Sequence, residues 1–466
     1  MRRTALAVGL VATLVAGITA IGVGDPVEAD AAPVAAPRVD FNGDGYGDMV
    51  VTGGDAASVL YGGPGGLDTA RKVRITKDFP GLPAPVATAR YFAENATPGD
   101  LDGDGYDDLV ITSPLQKSVV VWGGARGLSG SALLSDGTAG GASDRGTVAG
   151  DFDGDGHEDL AIHDDYAGFH ISRGPFSRTG VPAAVDRYAY QDIDPGFGGQ
   201  SLVAGEVNGD GTTDLLLLGS IRRTPPKEGS YAGAILLLGS PGGLHNPRRL
   251  PNLGGSAAIG DVDGDGFGDV IQGAFLEGYN PAGVVGGSIV VNYGSATGLS
   301  TTRPAVRISQ DTPGVPGTGE TYDRFGFALA TGDIDHDGYA DVAVSSQQES
   351  ISGVSTTGGV MVLRGSAKGL TGTGAVSYNQ NSPGVPGANE SYDRWGSSLL
   401  LTDMNRDGRS ELVVGTEFEN DDIGNAWYFP SSGSTLTTKG MVSFSYRTLG
   451  GTEKKHYTYF SRYMAP

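Results

Sequence analysis

The 466 residues contain no cysteine, so disulfide staples and thiolate metal sites are excluded as the source of stability. A reducing compartment would explain that absence, and so would export of a protein stapled by other means. Catalytic signatures are also missing. The six histidines are scattered, and there is no His-Glu-x-x-His motif and no Gly-x-Ser-x-Gly elbow. Basic residues are few: 32 Lys and Arg against 54 Asp and Glu give a formal charge of −22. This charge argues against nucleic acid and against an anionic membrane surface as partners. With 79 Gly and 25 Pro, a purely helical fold is excluded. Apolar residues alternate in short runs, which excludes a disordered chain.

The one long uncharged run is N-terminal. Arg2 and Arg3 precede Thr4 to Gly24, and Ala29-Asp30-Ala31 offers a small-x-small cleavage site. This predicts a signal peptide over residues 1–31 and a secreted mature chain over 32–466, with no membrane contact after cleavage. An uncleaved N-terminal anchor is the alternative.

What the chain does have is a repeat. The string Asp-x-Asp/Asn-x-Asp-Gly-x-x-Asp occurs seven times, starting at Asp40, Asp100, Asp151, Glu206, Asp261, Asp333 and Asp403. Seven units in the mature chain leave about 62 residues each, the size of a four-stranded blade with its loops. The spacing suits calcium, a hard ion that takes six to eight oxygens. In such a loop positions 1, 3, 5 and 9 supply side-chain oxygens and position 7 a carbonyl. The predicted ligand sets are Asp40, Asn42, Asp44, Tyr46 and Asp48; Asp100, Asp102, Asp104, Tyr106 and Asp108; Asp151, Asp153, Asp155, His157 and Asp159; Glu206, Asn208, Asp210, Thr212 and Asp214; Asp261, Asp263, Asp265, Phe267 and Asp269; Asp333, Asp335, Asp337, Tyr339 and Asp341; and Asp403, Asn405, Asp407, Arg409 and Glu411. Position 6 is glycine in all seven, as a sharp turn with positive φ requires. These loops hold 25 of the 54 acids as ligand charge, more than the whole net charge of −22. Up to seven structural Ca²⁺ ions follow. The second, third, fifth and sixth loops, with four carboxylates each, should bind best. Solvated Asx-turns are the competing reading of any single copy.

The flanks decide the kind of loop. An EF-hand needs helices on both sides and Glu at position 12. Position 12 here is Val51, Ile111, Ile162, Leu217, Gln272, Val344 and Val414, position 10 is apolar throughout, and position 11 varies. That pattern predicts a strand leaving each loop, with the loop joining strands 1 and 2 of a blade. A second element follows each loop: an apolar strand ending in a Gly turn, as at Leu60-Tyr61-Gly62-Gly63, Val121-Trp122-Gly123-Gly124 and Leu363-Arg364-Gly365-Ser366. The expected fold is an all-β seven-bladed β-propeller with calcium-binding loops between strands 1 and 2, closed by the C-terminal strand. Phe325-Gly326, Gly332-Asp333-Ile334-Asp335-His336-Asp337-Gly338 and Asp341-Val342 resemble the FG-GAP repeat (VCBS repeat) known from integrin α-subunit propellers and secreted bacterial proteins. Trp395-Gly396 leads the seventh copy in the same way. Glu206, Glu411, Asn42, Asn208 and Asn405 depart from the pattern.

Closure is predicted from the C-terminus. Tyr457 to Ser461 matches the Tyr-x-x-Phe/Trp-Gly segments at Tyr322 and Tyr392, with Ser in place of Gly, yet no loop follows it. The first blade has a loop but little strand before it, so residues from about Tyr457 onward are expected to supply its inner strand. Long loops over 222–231, 275–287, 347–359 and 417–425 fall on the face opposite the calcium loops, where the resemblance implies ligand binding. Tyr322-Asp323-Arg324 and Tyr392-Asp393-Arg394 there read either as a sugar or peptide site, or as Asp–Arg pairs with Tyr packed between blades. The functional expectation is a monomeric adhesion or ligand-binding module for an extracellular protein. A lectin-like polysaccharide binder and a polysaccharide-acting lyase or hydrolase are the alternatives.

Overall fold

The computed structural model describes residues 38 to 466 except 54, 84–91, 114–116, 136–145, 165–166, 223–229, 251–254, 277–279, 281–283 and 452–457. The predicted signal peptide, most of the 222–231 loop and Tyr457 lie outside the described residues. No helix among the described residues is long and apolar enough to cross a membrane.

Seven four-stranded antiparallel sheets form a seven-bladed propeller. From the inside out, blade one is Met464–Ala465, Met49–Gly53, Ala56–Leu60 and Lys72–Thr76. Blade two is Asn95–Gly99, Asp108–Thr112, Val119–Val121 and Ser131–Leu133; blade three is Thr147–Gly150, Asp159–Asp164, Gly168–Arg173 and Ala184–Ala189. Blade four is Phe197–Gly205, Asp214–Arg222, Ser230–Leu238 and His245–Leu250; blade five is Ser256–Gly260, Asp269–Ala274, Ser288–Asn292 and Val306–Ile308. Blade six is Phe325–Gly332, Asp341–Ser346, Gly359–Leu363 and Val376–Tyr378; blade seven is Ser398–Thr402, Glu411–Thr416, Asn425–Phe429 and Val442–Ser445. A small hairpin, Ser431–Ser432 with Thr435–Leu436, sits beside blade seven.

The strand after each acidic loop is buried on both faces, not one. Position 11 is Val50, Val110, Ala161, Leu216, Ile271, Ala343 or Val413, and each is as buried as its neighbours at 10 and 12. The cause is blade stacking: each sheet covers the next on both sides, so only the outermost strands, such as Ala184–Ala189 and Val376–Tyr378, face solvent. Seven large apolar clusters result, each spanning the seam between two neighbouring blades. Side chains from blades four, five, six, seven and one line a cavity of about 230 Å³. Inner strands of five blades can meet only around the propeller axis.

The C-terminal segment touches both blade seven and blade one. The Phe460 N–H donates to Ile423 O (3.3 Å), Ser461 N–H to Thr52 O (3.0 Å) and Thr52 N–H to Tyr463 O (3.1 Å). Ladder pairing with blade one begins later than about residue 457. It is confined to Val50 with Ala465 and Val51 with Met464. Phe460 is buried like Phe325 and Trp395, in the cluster joining blades seven and one. The residue before each aromatic has positive φ: Arg324 (62°), Arg394 (52°) and Tyr459 (47°).

Candidate metal centres

The seven acidic loops share one hydrogen-bond design. The position-1 carboxylate accepts from the position-6 Gly N–H in every loop, from Asp40 with Gly45 (2.7 Å) to Asp403 with Gly408 (3.0 Å). The position-5 Oδ1 accepts from the position-7 N–H in every loop, at 2.9 to 3.2 Å. That bond aims the backbone of Tyr46, Tyr106, His157, Thr212, Phe267, Tyr339 and Arg409 along the loop. Position 6 has φ between 83° and 89° in all seven, which glycine takes without strain.

Position 9 does a separate task. Asp48, Asp108, Asp159, Asp214, Asp269, Asp341 and Glu411 are fully buried or nearly so. One oxygen of each accepts from the position-2 N–H, at 2.8 to 3.2 Å. The other oxygen of the six aspartates accepts from the Gly that ends the third strand: Gly62, Gly123, Gly174, Gly239, Gly294 or Gly365. This accounts for the second repeat element. A Cβ at those glycines would collide with the position-8 carbonyl of the loop. In blade seven Ser431 holds that place, two residues beyond the partner of Leu412. Its hydroxyl donates to the Glu411 carboxylate (3.0 Å), so the Gly-to-Ser and Asp-to-Glu departures meet in one contact. Burial pushes the six aspartates up to about 7 and Glu411 to about 8, against the pull of their backbone donors.

In four loops three carboxylates converge, with oxygens all within 4.8 Å of one another. The groups are Asp100, Asp102 and Asp108; Asp151, Asp153 and Asp159; Asp261, Asp263 and Asp265; and Asp333, Asp335 and Asp337. Oxygens on a calcium shell of 2.3–2.6 Å radius lie no more than about 5 Å apart, so the spacing fits. The donors are all oxygen, which suits a hard divalent cation. Buried oxygens of Asp102 and Asp335 have no hydrogen-bond partner, the open valence a cation would fill. Position 9 joins the group in the second and third loops and position 5 in the fifth and sixth. Among the described residues the first, fourth and seventh loops bring no such trio together.

The opposite face carries a cleft of about 360 Å³ on blade seven. Its walls are Glu390, Ser391, Tyr392, Asp393 and Arg394 from the loop entering blade seven, and Phe418, Asn420 and Asp422 from the loop between that blade's second and third strands. Loops distant in sequence thus meet as one site.

The FG-GAP repeat matches residues 325–378 and the FG-GAP-like repeat matches residues 100–162. Integrin alpha-PS2 of Drosophila melanogaster is 34% identical over 218 residues, covering 43% of this chain and 15% of its own length. The chain is an FG-GAP repeat propeller. Integrin alpha-IIb of Mus musculus is 29% identical over 49% of the propeller chain and 21% of its own length. Phosphatidylinositol-glycan-specific phospholipase D of Bos taurus is 30% identical over 36% and 19%. The FG-GAP chain therefore spans about a fifth or less of the curated relatives it matches. A thermostable family-43 glycoside hydrolase structure is similar at 14% identity, covering 62% of this chain and 92% of that one; its TM-score of 0.34 supports no argument.

Three features of the FG-GAP loops escaped the sequence reading. Position 4 also has positive φ, at Gly43, Gly103, Gly154, Gly209, Gly264, His336 and Arg406. Its five glycines were the available signal. Position 8 supplies buried acids between consecutive loops: Asp107 and Glu158 are pushed up to about 6 and 7 by burial. Lastly, arginines enter the acid groups. Arg178 meets Asp102 and Asp104, Arg173 meets Asp153, Arg303 meets Asp263, and Arg364 meets Asp341 (2.5 Å). Two of them, Arg173 and Arg364, directly precede the strand-ending Gly, a pattern visible in the sequence.

Proposed function

We propose that this propeller is a secreted binding module whose acidic loops hold structural calcium and whose opposite face carries the ligand. The carrying observation is that four of the loops are read by the next blade. The position-1 carbonyls of Asp40, Asp151, Asp261 and Asp333 accept from Asp107, Thr213, Ala340 and Ser410 N–H, the position-8 residues of the following loops. The position-2 side chains Phe41, Leu101, Phe152, Val207, Val262, Ile334 and Met404 are all buried in the blade cores. An ion that fixes loop shape therefore fixes the seams. Asp, Asn and backbone oxygens would hold it; the ion would supply positive charge among the loop carboxylates. The second, third, fifth and sixth loops are the strongest sites in this reading. The C-terminal segment serves as the ring's closing strand, and residues 1–31 direct export.

Four sites, each filled at a hundred times its dissociation constant, would add about 11 kcal/mol in total. The melting temperature in chelator should thus fall by more than about 10 °C, and an unchanged curve would refute the calcium half of the reading. The calcium-loaded protein should also bind in a glycan array or a surface-protein pull-down. Silence in both would refute the other half.

A further inference from the structure

We infer that the cleft on blade seven binds a polysaccharide free of acidic groups, with a second contact for the same polymer at Tyr322 on the blade before. This deepens the binding-module reading and rests on it.

Tyr392 is 64% exposed and Tyr322 69%, so neither ring packs between blades, one of the two alternatives the sequence left open. Both residues hold positive φ, 74° and 76°, where a bulky side chain is unfavourable. The end of the turn is structural, since the residue before the aromatic has positive φ at Arg324, Arg394 and Tyr459 alike. It sets the backbone of Phe325 and Trp395 against the neighbouring loop: Phe325 N–H donates to Gly286 O and Trp395 N–H to Thr357 O. Nothing in that role asks for an exposed tyrosine ring. A flat aromatic face standing in solvent beside a polar cleft is what the apolar face of a pyranose can cover.

The cleft supplies the rest of such a site. Asp422, Asn420, Ser391 and Glu390 line it with hydroxyl, amide and carboxylate groups that exchange hydrogen bonds with sugar hydroxyls. Arg394 lies over the Phe418 ring at 4.4 Å, held in place at the wall. Three carboxylates against one guanidinium leave the lining negative. With a chain charge of −22, that repels acidic polymers. Uncharged and aminated sugars remain.

The duplication argues for a polymer over a single sugar. The loops entering blades six and seven are near-copies. Glu320 N–H donates to Asp323 and Glu390 N–H to Asp393; the Gln310 side chain donates to Glu349 (2.7 Å) and the Gln380 side chain to Glu419 (2.8 Å). The same backbone frame thus presents the two tyrosines on adjacent blades. Two weak contacts on one repeating chain gain by linkage what one contact lacks.

The test is affinity electrophoresis through gels containing laminarin, chitosan, mannan or xylan, with alginate as the acidic arm, using calcium-loaded protein. At least one of the first four should retard the wild type, and alginate should not. Tyr392→Ala should weaken the binding about tenfold. The pair Tyr322→Ala/Tyr392→Ala should abolish retardation, with melting temperature and calcium content unchanged. Retardation by alginate alone, by none of the five, or equally for the double variant would overturn the inference. A protein ligand captured by the wild type and lost in Tyr392→Ala, with no glycan binding, would overturn it too while leaving the binding-module reading intact.

Discussion

Removal of the C-terminal segment is the most demanding perturbation of the ring. Deletion after Gly450 takes away only 16 residues. Among them is Phe460, 1% exposed and edge-on to Phe444 with ring centroids 6.2 Å apart. Emptying such a site typically costs about 3–5 kcal/mol. Three backbone hydrogen bonds tie Phe460, Ser461 and Tyr463 to Ile423 and Thr52, each worth about 1 kcal/mol. The Met464–Ala465 pairing with Val50 and Val51 would also go, baring the inner edge of blade one. The sum, roughly 6–8 kcal/mol, rivals the whole stability of a typical domain, about 5–15 kcal/mol. The truncated chain should therefore aggregate on expression. Because insolubility alone is ambiguous, Phe460→Ala is the quantitative variant: it should stay soluble and lose about 3–5 kcal/mol in urea unfolding at fixed calcium. Size-exclusion chromatography and a denaturant titration make the assay. A truncated protein that is monomeric and melts like the full chain would show that the segment is a frayed tail and the ring closes without it.

Four further outcomes follow from named contacts. Asp335→Ala should cost more stability in calcium than Asn405→Ala, since only Asp335 belongs to a converging trio; calorimetry of the two variants checks the order. Arg364→Gln removes the cation that competes for Asp335 and Asp341, so calcium should bind the sixth loop roughly tenfold more tightly in a titration. Tyr392→Gly relieves a φ of 74° and should raise stability by about 1 kcal/mol while weakening ligand binding. Burial, with Asp393 and Glu390 close by, pushes Glu419 up to about 7. The folded state then holds a proton that the unfolded state releases near 4.5, so stability falls as pH rises between those values. Glu419→Gln should melt higher than wild type at pH 8 and alike at pH 4.5, and equal melting at both would refute the account.

The sequence made the seven loops legible because each repeats one register of acids and glycine, with a buried residue at position 2 and a strand from position 10. Blade number followed from the loop count. What it concealed was contact across loops. Nothing near Asp102 in the chain announces Arg178, and the cleft joins Glu390 to Asp422 through the stacking of one loop on another. Alternation also misled at position 11: a sheet covered on both faces has no solvent side, so Val50 and Val413 are buried with their neighbours. The tyrosines at 322 and 392 could be named but not placed, because their exposure depends on a positive-φ turn that side-chain type alone does not encode.

Calcium stoichiometry tests the central claim most directly. Protein stripped with chelator and dialysed to equilibrium against labelled calcium should take up at least four ions per chain and no more than seven. The tightest four should be lost in turn when Asp102, Asp153, Asp263 and Asp335 are changed to Ala one at a time. Uptake of one ion or none, in a protein that still melts cooperatively as a folded propeller, would contradict the account.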